Sequence, residues 1–120
     1  RGSEMCIRDR LETVMAYVRE YEDESITREQ LDQSDGLRLL EFGANWCGYC
    51  IAAQPDIEAA LAEHRELSHI KIADGPGRPL GRSFRVKLWP TLILIRDGEE
   101  TGRIVRPESE KDLKEFLRSC

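Results

Sequence analysis

Apolar positions along the chain predict strands that alternate with amphipathic helices. Three segments have the apolar or alternating pattern of strands: residues 37–42, 68–73 and 91–95. Helical patterns mark three further segments: residues 11–22, residues 47–63 and the region that follows Ser109. Because strands and helices alternate through the middle of the chain, the pattern predicts an α/β fold that contains parallel strands.

Two local signals complete the predicted architecture. Pro55 falls inside the long helix, where proline removes a backbone hydrogen bond and is expected to kink the helix. Asp97 and Gly98 form a hairpin signal, so residues 101–105 are predicted to return antiparallel to the preceding strand. The expected fold is therefore a central mixed β-sheet flanked by helices on both faces.

The length and composition are those of one soluble domain. The chain has 120 residues, of which 40% are apolar and 34% charged. Residues 1–10 show no periodicity and read as an expression or sequencing artefact without folded structure, so the predicted domain covers residues 11–120. A net charge of −5 argues against nucleic acid as a partner. The sequence shows no membrane-spanning stretch and no export signal, so we expect a cytoplasmic protein without a membrane partner.

Two of the four cysteines form a unit that predicts redox chemistry. Cys47 and Cys50 stand at a predicted helix start, at a spacing that brings side chains within about 5–6 Å. The positive end of the helix dipole favours the thiolate at the first of them. Cys6 and Cys120 lie near the termini and are expected to be incidental thiols. Without a second Cys-x-x-Cys or a His-x-x-x-His pair, neither a disulfide framework nor a metal site is expected.

From about Leu37 onwards the chain resembles the thioredoxin family. Four features at family-like separations carry the resemblance: Phe42-Gly43-Ala44-Asn45-Trp46-Cys47-Gly48-Tyr49-Cys50, Pro55, Trp89-Pro90-Thr91 and Asp97-Gly98-Glu99. The resemblance implies a thioredoxin fold and a thiol–disulfide oxidoreductase that reduces protein disulfides through a mixed-disulfide intermediate. The family often opens with a strand, which here would start near Tyr17 in place of the helix predicted over residues 11–22.

The resemblance also implies roles in catalysis for three residues. Cys47 would be the more exposed thiol and attack a client disulfide, and Cys50 would resolve the mixed disulfide. Glu41, which alternates with Leu37 and Leu39 on one strand face, would accept the Cys50 proton directly or through a water. Burial on that apolar face is expected to raise the pKa of Glu41. The alternative is a strand-end glutamate that reaches solvent.

Three polar residues further along the chain receive simpler interpretations. Lys71 is expected to be an exposed strand lysine, with pairing to Glu41 as the alternative. His64 and His69, at the end of the long helix and the start of the next strand, are expected to lie on the surface.

A second group of residues is expected to contact the client protein. These residues flank the dithiol or form the expected cis-proline loop: Trp46, Gly48, Tyr49, Trp89, Pro90 and Thr91. By resemblance, the bond between Trp89 and Pro90 is cis, and Trp89 offers its backbone to the client strand. A place for the Trp89 ring in the core is the alternative.

Three positions differ from thioredoxin proper. Tyr49 replaces the usual active-site proline, Glu41 stands for a buried aspartate, and Arg106-Pro107 occupies a loop where thioredoxins place a glycine. A Cys-Gly-Tyr-Cys motif is also typical of bacterial periplasmic disulfide isomerases, so an isomerase or oxidase is the first alternative function. A binding or chaperone module that keeps the fold is the second.

The expected partners follow from the resemblance. They are disulfide-containing client proteins and an NADPH-dependent flavoprotein reductase that returns the electrons. No bound cofactor is expected, because the cysteine pair itself is the redox equivalent. The protein is expected to act as a monomer.

Overall fold

The computed structural model describes residues 20–21, 26–64, 67–76 and 78–118. The N-terminal segment 1–10, the thiols Cys6 and Cys120, and the strand considered near Tyr17 all lie outside the described residues. The helix predicted over residues 11–22 lies outside them too, apart from Glu20 and Tyr21, which are not helical. These expectations therefore stay predictions.

Four helices and four strands follow one another in the described part of the chain. The helices are α1 Arg28–Asp32, α2 Gly48–Leu61, α3 Pro79–Ser83 and α4 Glu110–Leu117. The strands are β1 Leu37–Gly43, β2 Ser68–Ala73, β3 Thr91–Arg96 and β4 Glu99–Val105. The strand β4 begins two residues before the predicted start, because the tight turn leaves Glu99 and Glu100 in the ladder.

The strands form a mixed sheet in the order β2-β1-β3-β4. β1 pairs in parallel with β2, whereas β3 is antiparallel to both β1 and β4. Parallel neighbours need a crossover connection, and α2 supplies it between β1 and β2. The predicted mixed sheet is confirmed.

Apolar side chains cover both faces of this sheet. One face packs against α2 and α4 through a cluster that includes Leu37, Leu39, Ile57, Leu61, Leu92, Leu94, Leu113 and Leu117. The other face packs against α1 and α3 through a cluster that includes Leu31, Leu40, Phe42, Ile72, Leu80, Ile93 and Ile95. The alternation along β1 separates the two sets, which confirms helices on both faces.

The hairpin between β3 and β4 depends on its glycine. Asp97 and Gly98 have φ angles of 49° and 87°, the left-handed values that such two-residue turns require. A Cβ at Gly98 would lie 2.0 Å from the backbone oxygen of Asp32. Only glycine therefore allows α1 to end against this turn.

The helix α2 carries the predicted proline in its interior. Pro55 has no N–H to donate to the carbonyl of Ile51, so one backbone bond of the helix is missing. Cys47 is the N-cap of α2, which places the dithiol at the positive end of the helix. None of the helices among the described residues has the length and apolarity needed to cross a membrane.

Candidate active site

The two thiols lie where the end of β1 leads into α2. The backbone N–H of Cys47 donates to the carbonyl of Ala44, 3.1 Å away, which fixes the turn between the two elements. Both cysteines are free thiols, and Cys47 is 9% exposed whereas Cys50 is 1% exposed. Cys47 is thus the more exposed thiol, as predicted.

The surroundings of Cys47 favour its thiolate. Burial raises the pKa of Cys47, but hydrogen bonds from the Cys50 thiol and from the backbone at Cys50 and Tyr49 lower it more. The positive charge of Arg106 lowers it further, so the pKa lies below the ordinary value of 9.0. Cys47 therefore has the properties of an attacking thiol.

The surroundings of Cys50 favour its neutral thiol. Burial raises the pKa of Cys50 to about 11, and the adjacent Cys47 contributes to the rise. Hydrogen bonds with Ala44 and with the Tyr21 hydroxyl lower it only in part. Because this thiol stays protonated at neutral pH, it needs a proton acceptor before it can attack a mixed disulfide.

Glu41 lies behind Cys50 with its carboxylate fully buried. Its Oε2 accepts hydrogen bonds from the Tyr21 hydroxyl and from Gln54 Nε2, the latter at 3.0 Å. Its Oε1 lies 2.8 Å from His69 Nε2. The alternative of a strand-end glutamate that reaches solvent is therefore excluded.

The expected direction of the Glu41 pKa is wrong. Burial does raise the pKa, but the hydrogen bond and charge of His69, the charge of Lys71 and the Gln54 hydrogen bond together lower it below 4.5. The carboxylate is thus ionised at neutral pH and can take up a proton.

The predictions for His69 and Lys71 are also wrong. His69 is 6% exposed and Lys71 is 4% exposed, and the register of the parallel pair sets Lys71 opposite Glu41. Lys71 Nζ donates to Gln54 Oε1 at 2.7 Å. The polar face of β2 is covered by α2 and Tyr21, so it is part of the interior. His64, the other histidine, is half-buried just beyond the end of α2.

Sequence reasoning missed Tyr21, which completes a group of buried and half-buried polar residues behind Cys50. We call this group the inner polar cluster: Tyr21, Glu41, Gln54, His69 and Lys71. Tyr21 is held in place through its backbone, since its N–H donates to Asn45 Oδ1 at 2.9 Å and its carbonyl accepts from Asn45 Nδ2 at 3.1 Å. In the sequence, the only indication of this contact is the polar residue Asn45, two positions before Cys47.

Gly43 makes room for the contact between the dithiol and the inner polar cluster. A Cβ at this position would lie 2.6 Å from Cys50 Sγ and 2.7 Å from both Cζ and the hydroxyl oxygen of Tyr21. Any larger residue would therefore push these two side chains out of place.

Exposed aromatic side chains surround the opening to Cys47. Trp46 is 77% exposed and Tyr49 is 61% exposed, and the Trp46 ring meets the Trp89 ring edge-on at 5.7 Å between centroids. Trp89 Nε1 donates to Asp74 Oδ2 at 2.9 Å, which orients the half-buried indole. Trp89 thus lies beside the site, not in either of the two clusters that cover the sheet.

The other residues predicted to contact the client are Gly48, Pro90 and Thr91, and they differ in where they lie. The Trp89–Pro90 bond is cis, as the resemblance implied. Gly48 is exposed, with open space where a Cβ would lie. Thr91 is 1% exposed and donates its hydroxyl to the Leu88 carbonyl at 2.6 Å. The structure therefore brings Gly48 to the surface of the site but keeps the Thr91 side chain away from it.

Arg106 joins the two loops beside the dithiol. Its Nε donates to the Trp89 carbonyl at 2.8 Å, and its backbone N–H donates to the Pro90 carbonyl at 2.9 Å. Its guanidinium lies 3.8 Å from the centre of the Tyr49 ring, a cation–π contact. The departure from glycine at this position thus ties Tyr49 to the cis-proline loop.

Among the described residues, no group of three or more His, Cys, Asp or Glu side chains is arranged to hold a metal ion.

Comparisons with known proteins define the class of this protein. The thioredoxin family model matches residues 18–119, so the chain belongs to the thioredoxin family. Thioredoxin 2 from Pseudomonas aeruginosa PAO1, solved in its reduced form, is 48% identical with a TM-score of 0.78. That alignment covers 84% of this chain and 94% of the solved chain.

Two curated relatives agree with this family. The thioredoxin of Chlamydia trachomatis is 40% identical over 85 residues, which covers 70% of this chain and 82% of the relative. Thioredoxin H2-1 of Oryza sativa is 31% identical over 75 residues, which covers 62% of this chain but only 54% of the rice protein. Together with the site, this family membership makes the protein a thiol–disulfide oxidoreductase that acts on disulfide-containing substrates.

Proposed function

We propose that the protein is a reductase of protein disulfides that acts as a monomer in the cytoplasm. In this proposal it holds no bound cofactor, and a flavoprotein reductase that uses NADPH restores its dithiol. The observation that carries the proposal is the opposite shift of the two thiols, with the pKa of Cys47 lowered and that of Cys50 raised to about 11.

The first step uses Cys47, the more exposed of the two thiols. The Cys47 thiolate attacks one sulfur of a client disulfide, a Cys47–client bond forms, and the second client sulfur leaves as a thiolate. The hydrogen bonds from the start of α2 stabilise Cys47 as the attacking anion.

The second step uses the buried thiol. Cys50 gives up its proton, for which the ionised Glu41 is the acceptor, and the new thiolate attacks Cys47 Sγ. The Cys47–Cys50 disulfide forms and the remaining client sulfur leaves as a thiolate. The client has gained two electrons and the dithiol has lost two.

Apolar surface around the dithiol supports protein clients. Trp46 and Tyr49 are exposed by 77% and 61% of their surfaces. A cavity of about 350 Å³ lies beside Tyr49, lined by Tyr49, Ala52, Ala53, Asp56, Pro90, Arg106, Pro107 and Glu108. An extended client segment with an apolar side chain next to its cysteine fits this surface.

An equilibrium titration of the Cys47–Cys50 pair against thiol buffers tests the reductase proposal. A potential near about −270 mV supports a reductase, whereas a value near about −180 mV or higher replaces it with isomerase or oxidase chemistry. The Cys50→Ser variant is the control, because it cannot form the internal disulfide.

Turnover with insulin tests the electron donor. Insulin reduction supported by NADPH and a thioredoxin-type flavoprotein reductase is expected for the wild type and absent for Cys47→Ser. Reduction that proceeds only with dithiothreitol would contradict the proposed donor. A Cys47→Ser variant that still bound its clients without reducing them would leave the catalytic assignment intact.

A further inference from the structure

We infer that the Tyr21 hydroxyl relays the proton between the Cys50 thiol and the Glu41 carboxylate. The inference rests on the proposed resolving step and adds a residue to it. It replaces direct or water-mediated transfer between Cys50 and Glu41 by transfer through a side chain of the protein.

Tyr21 lies between the two ends of the relay. Its hydroxyl donates a hydrogen bond to Glu41 Oε2, and its side chain packs with Cys50 in one buried cluster. A Cβ at Gly43 would lie 2.6 Å from Cys50 Sγ and 2.7 Å from the Tyr21 oxygen, so both atoms border the same small space. Tyr21 is 5% exposed and Cys50 is 1% exposed, so both side chains are buried.

The hydrogen-bond inventory fixes the direction of the relay. A phenol has one proton to donate, and an ionised carboxylate can only accept. The Tyr21 proton therefore points to Glu41, and the oxygen lone pairs face Cys50. In the mixed disulfide, Cys47 is no longer a thiolate that accepts the Cys50 proton. The Cys50 thiol can then donate to the Tyr21 oxygen, which gives a continuous chain from the Cys50 proton to Glu41.

The transfer balances without any other reactant. The Cys50 proton moves to the Tyr21 oxygen while the Tyr21 proton moves to Glu41 Oε2. The products are a Cys50 thiolate, a neutral Tyr21 and a protonated Glu41. Both hydrogen bonds then reverse, so that Tyr21 donates to the thiolate and stabilises it for its attack on Cys47 Sγ.

Tyr21 itself does not retain the negative charge. Burial raises the pKa of Tyr21 well above its ordinary value, and the Glu41 charge and hydrogen bond raise it further. A phenolate at this position is therefore strongly disfavoured, and a proton that arrives from Cys50 is matched by one that leaves for Glu41.

Charged and polar neighbours fix the positions of the side chains that form the relay. Lys71 Nζ lies 4.3 Å from the centre of the Tyr21 ring and donates to Gln54 Oε1. That bond orients the Gln54 amide so that Nε2 faces Glu41 Oε2 at 3.0 Å and the Cys50 carbonyl at 2.8 Å. His69 holds the other carboxylate oxygen of Glu41. The titratable groups packed against Tyr21 are thus Glu41 from β1, Lys71 from β2, Cys50 from α2 and Cys47 at the N-cap of α2, and His69 faces Glu41.

A single-turnover experiment with an aromatic disulfide separates the two chemical steps. The reduced protein carries Cys6→Ser and Cys120→Ser, so that Cys47 and Cys50 are its only thiols. It is mixed with dithiobis(nitrobenzoate), which releases a coloured thiolate when a thiolate attacks it. Attack by Cys47 releases one coloured thiolate, and resolution by Cys50 releases the second. The two phases therefore report the two thiols in one trace.

Tyr21→Phe tests the relay in this assay. We expect the second phase to slow by about tenfold or more, with the first phase unchanged within about twofold. Thr101→Val is the matched control, because it removes an exposed hydroxyl on β4 and is expected to leave both phases unchanged. Equal second phases in Tyr21→Phe and wild type would overturn the relay. A wild type without a second phase would overturn the resolving step itself.

Site-specific difluorotyrosine at position 21 distinguishes a relay from a packing role. The fluorinated phenol keeps the shape and the hydroxyl of tyrosine but is more acidic. The relay requires that the rate or pH profile of the second phase change with phenol acidity, at unchanged thermal stability. A second phase identical to wild type at every pH would assign Tyr21 a purely structural role and overturn the inference.

Discussion

The outer and inner sides of the dithiol differ in almost every physical property. On the outer side, Trp46 and Tyr49 expose apolar surface, and Arg106 provides a positive charge close to Cys47. On the inner side, polar groups are buried and hydrogen-bonded to one another behind Cys50. Two thiols of the same helix therefore meet opposite environments within one turn.

The opposite environments give the two thiols of one motif different chemical roles. The start of α2 offers its N–H groups to Cys47, whereas Cys50 is turned into the space beside Gly43. Cys47 can thus ionise alone, and Cys50 ionises only when a base takes its proton. The order of attack and resolution follows from burial, because the buried thiol cannot reach a client first.

The largest expected effect is the difference between the two thiols in alkylation. With Cys6 and Cys120 replaced by serine, Cys47 in a Cys50→Ser background should react with iodoacetamide at pH 7 about 100-fold faster than Cys50 in a Cys47→Ser background. The reason is that the pKa of Cys47 lies below 9.0 while burial raises that of Cys50 to about 11. Rates measured across pH should rise for Cys47 below pH 9 and for Cys50 only above it. If the two alkylation rates rose with the same pH midpoint, the predicted difference between the two thiols would be contradicted.

Glu41→Gln should weaken only the inner side of the site. The amide keeps the size of the carboxylate but cannot take up the Cys50 proton, so we expect resolution to slow by about 100-fold. Alkylation of Cys47 should stay within about threefold of wild type, because its pKa depends on other groups. Single-turnover kinetics with a disulfide peptide measure both steps, and unfolding by urea tells a kinetic effect from lost structure. Slower attack together with unchanged resolution would contradict the assignment of Glu41.

Gly43→Ala should reveal how tightly the inner side is packed. A methyl group there would lie 2.6 Å from Cys50 Sγ and 2.7 Å from the Tyr21 ring, so the free energy of unfolding should fall by about 1–3 kcal/mol. Gly48→Ala is the matched change on the outer side, where a Cβ meets no atom within 4 Å. It should change stability by less than about 1 kcal/mol. Similar losses for both variants, measured by urea denaturation, would show that the two sides do not differ in packing.

Arg106→Met gives the smallest expected effect. The variant removes the charge near Cys47 and the hydrogen bond to the Trp89 carbonyl, but it can keep part of the contact with Tyr49. The pKa of Cys47 should rise, with alkylation at pH 7 about threefold slower. Arg103→Met is the control, because Arg103 pairs with Glu100 on β4. If both variants are alkylated at the wild-type rate, Arg106 does not lower the pKa of Cys47.

The outer side could be predicted from local sequence. A Cys-x-x-Cys pair at a helix start, a proline inside that helix and a two-residue Asp-Gly turn each depend on neighbours in the chain. The periodic patterns of β1 and β3 likewise gave the sheet and its two covered faces. These features are set by short-range geometry, so one sequence is sufficient to find them.

The inner side depends on contacts between distant segments, and local patterns gave the wrong result there. The alternation of His69 and Lys71 with Ile70 and Ile72 is typical of a strand with one face in water, yet α2 and Tyr21 cover that face. The sign of the Glu41 pKa was missed for the same reason, since His69 and Lys71 reverse the effect of burial. The one available signal was the acid on an apolar strand face, which required buried partners from elsewhere.

The most direct measurement is to trap the covalent intermediate with a client disulfide in the two single-cysteine variants of the active site. Cys50→Ser should accumulate a mixed disulfide that mass spectrometry locates at Cys47, because attack proceeds and resolution is blocked. Cys47→Ser should accumulate none at neutral pH. A mixed disulfide that forms equally well at Cys50 in Cys47→Ser would contradict the division of roles between the two thiols.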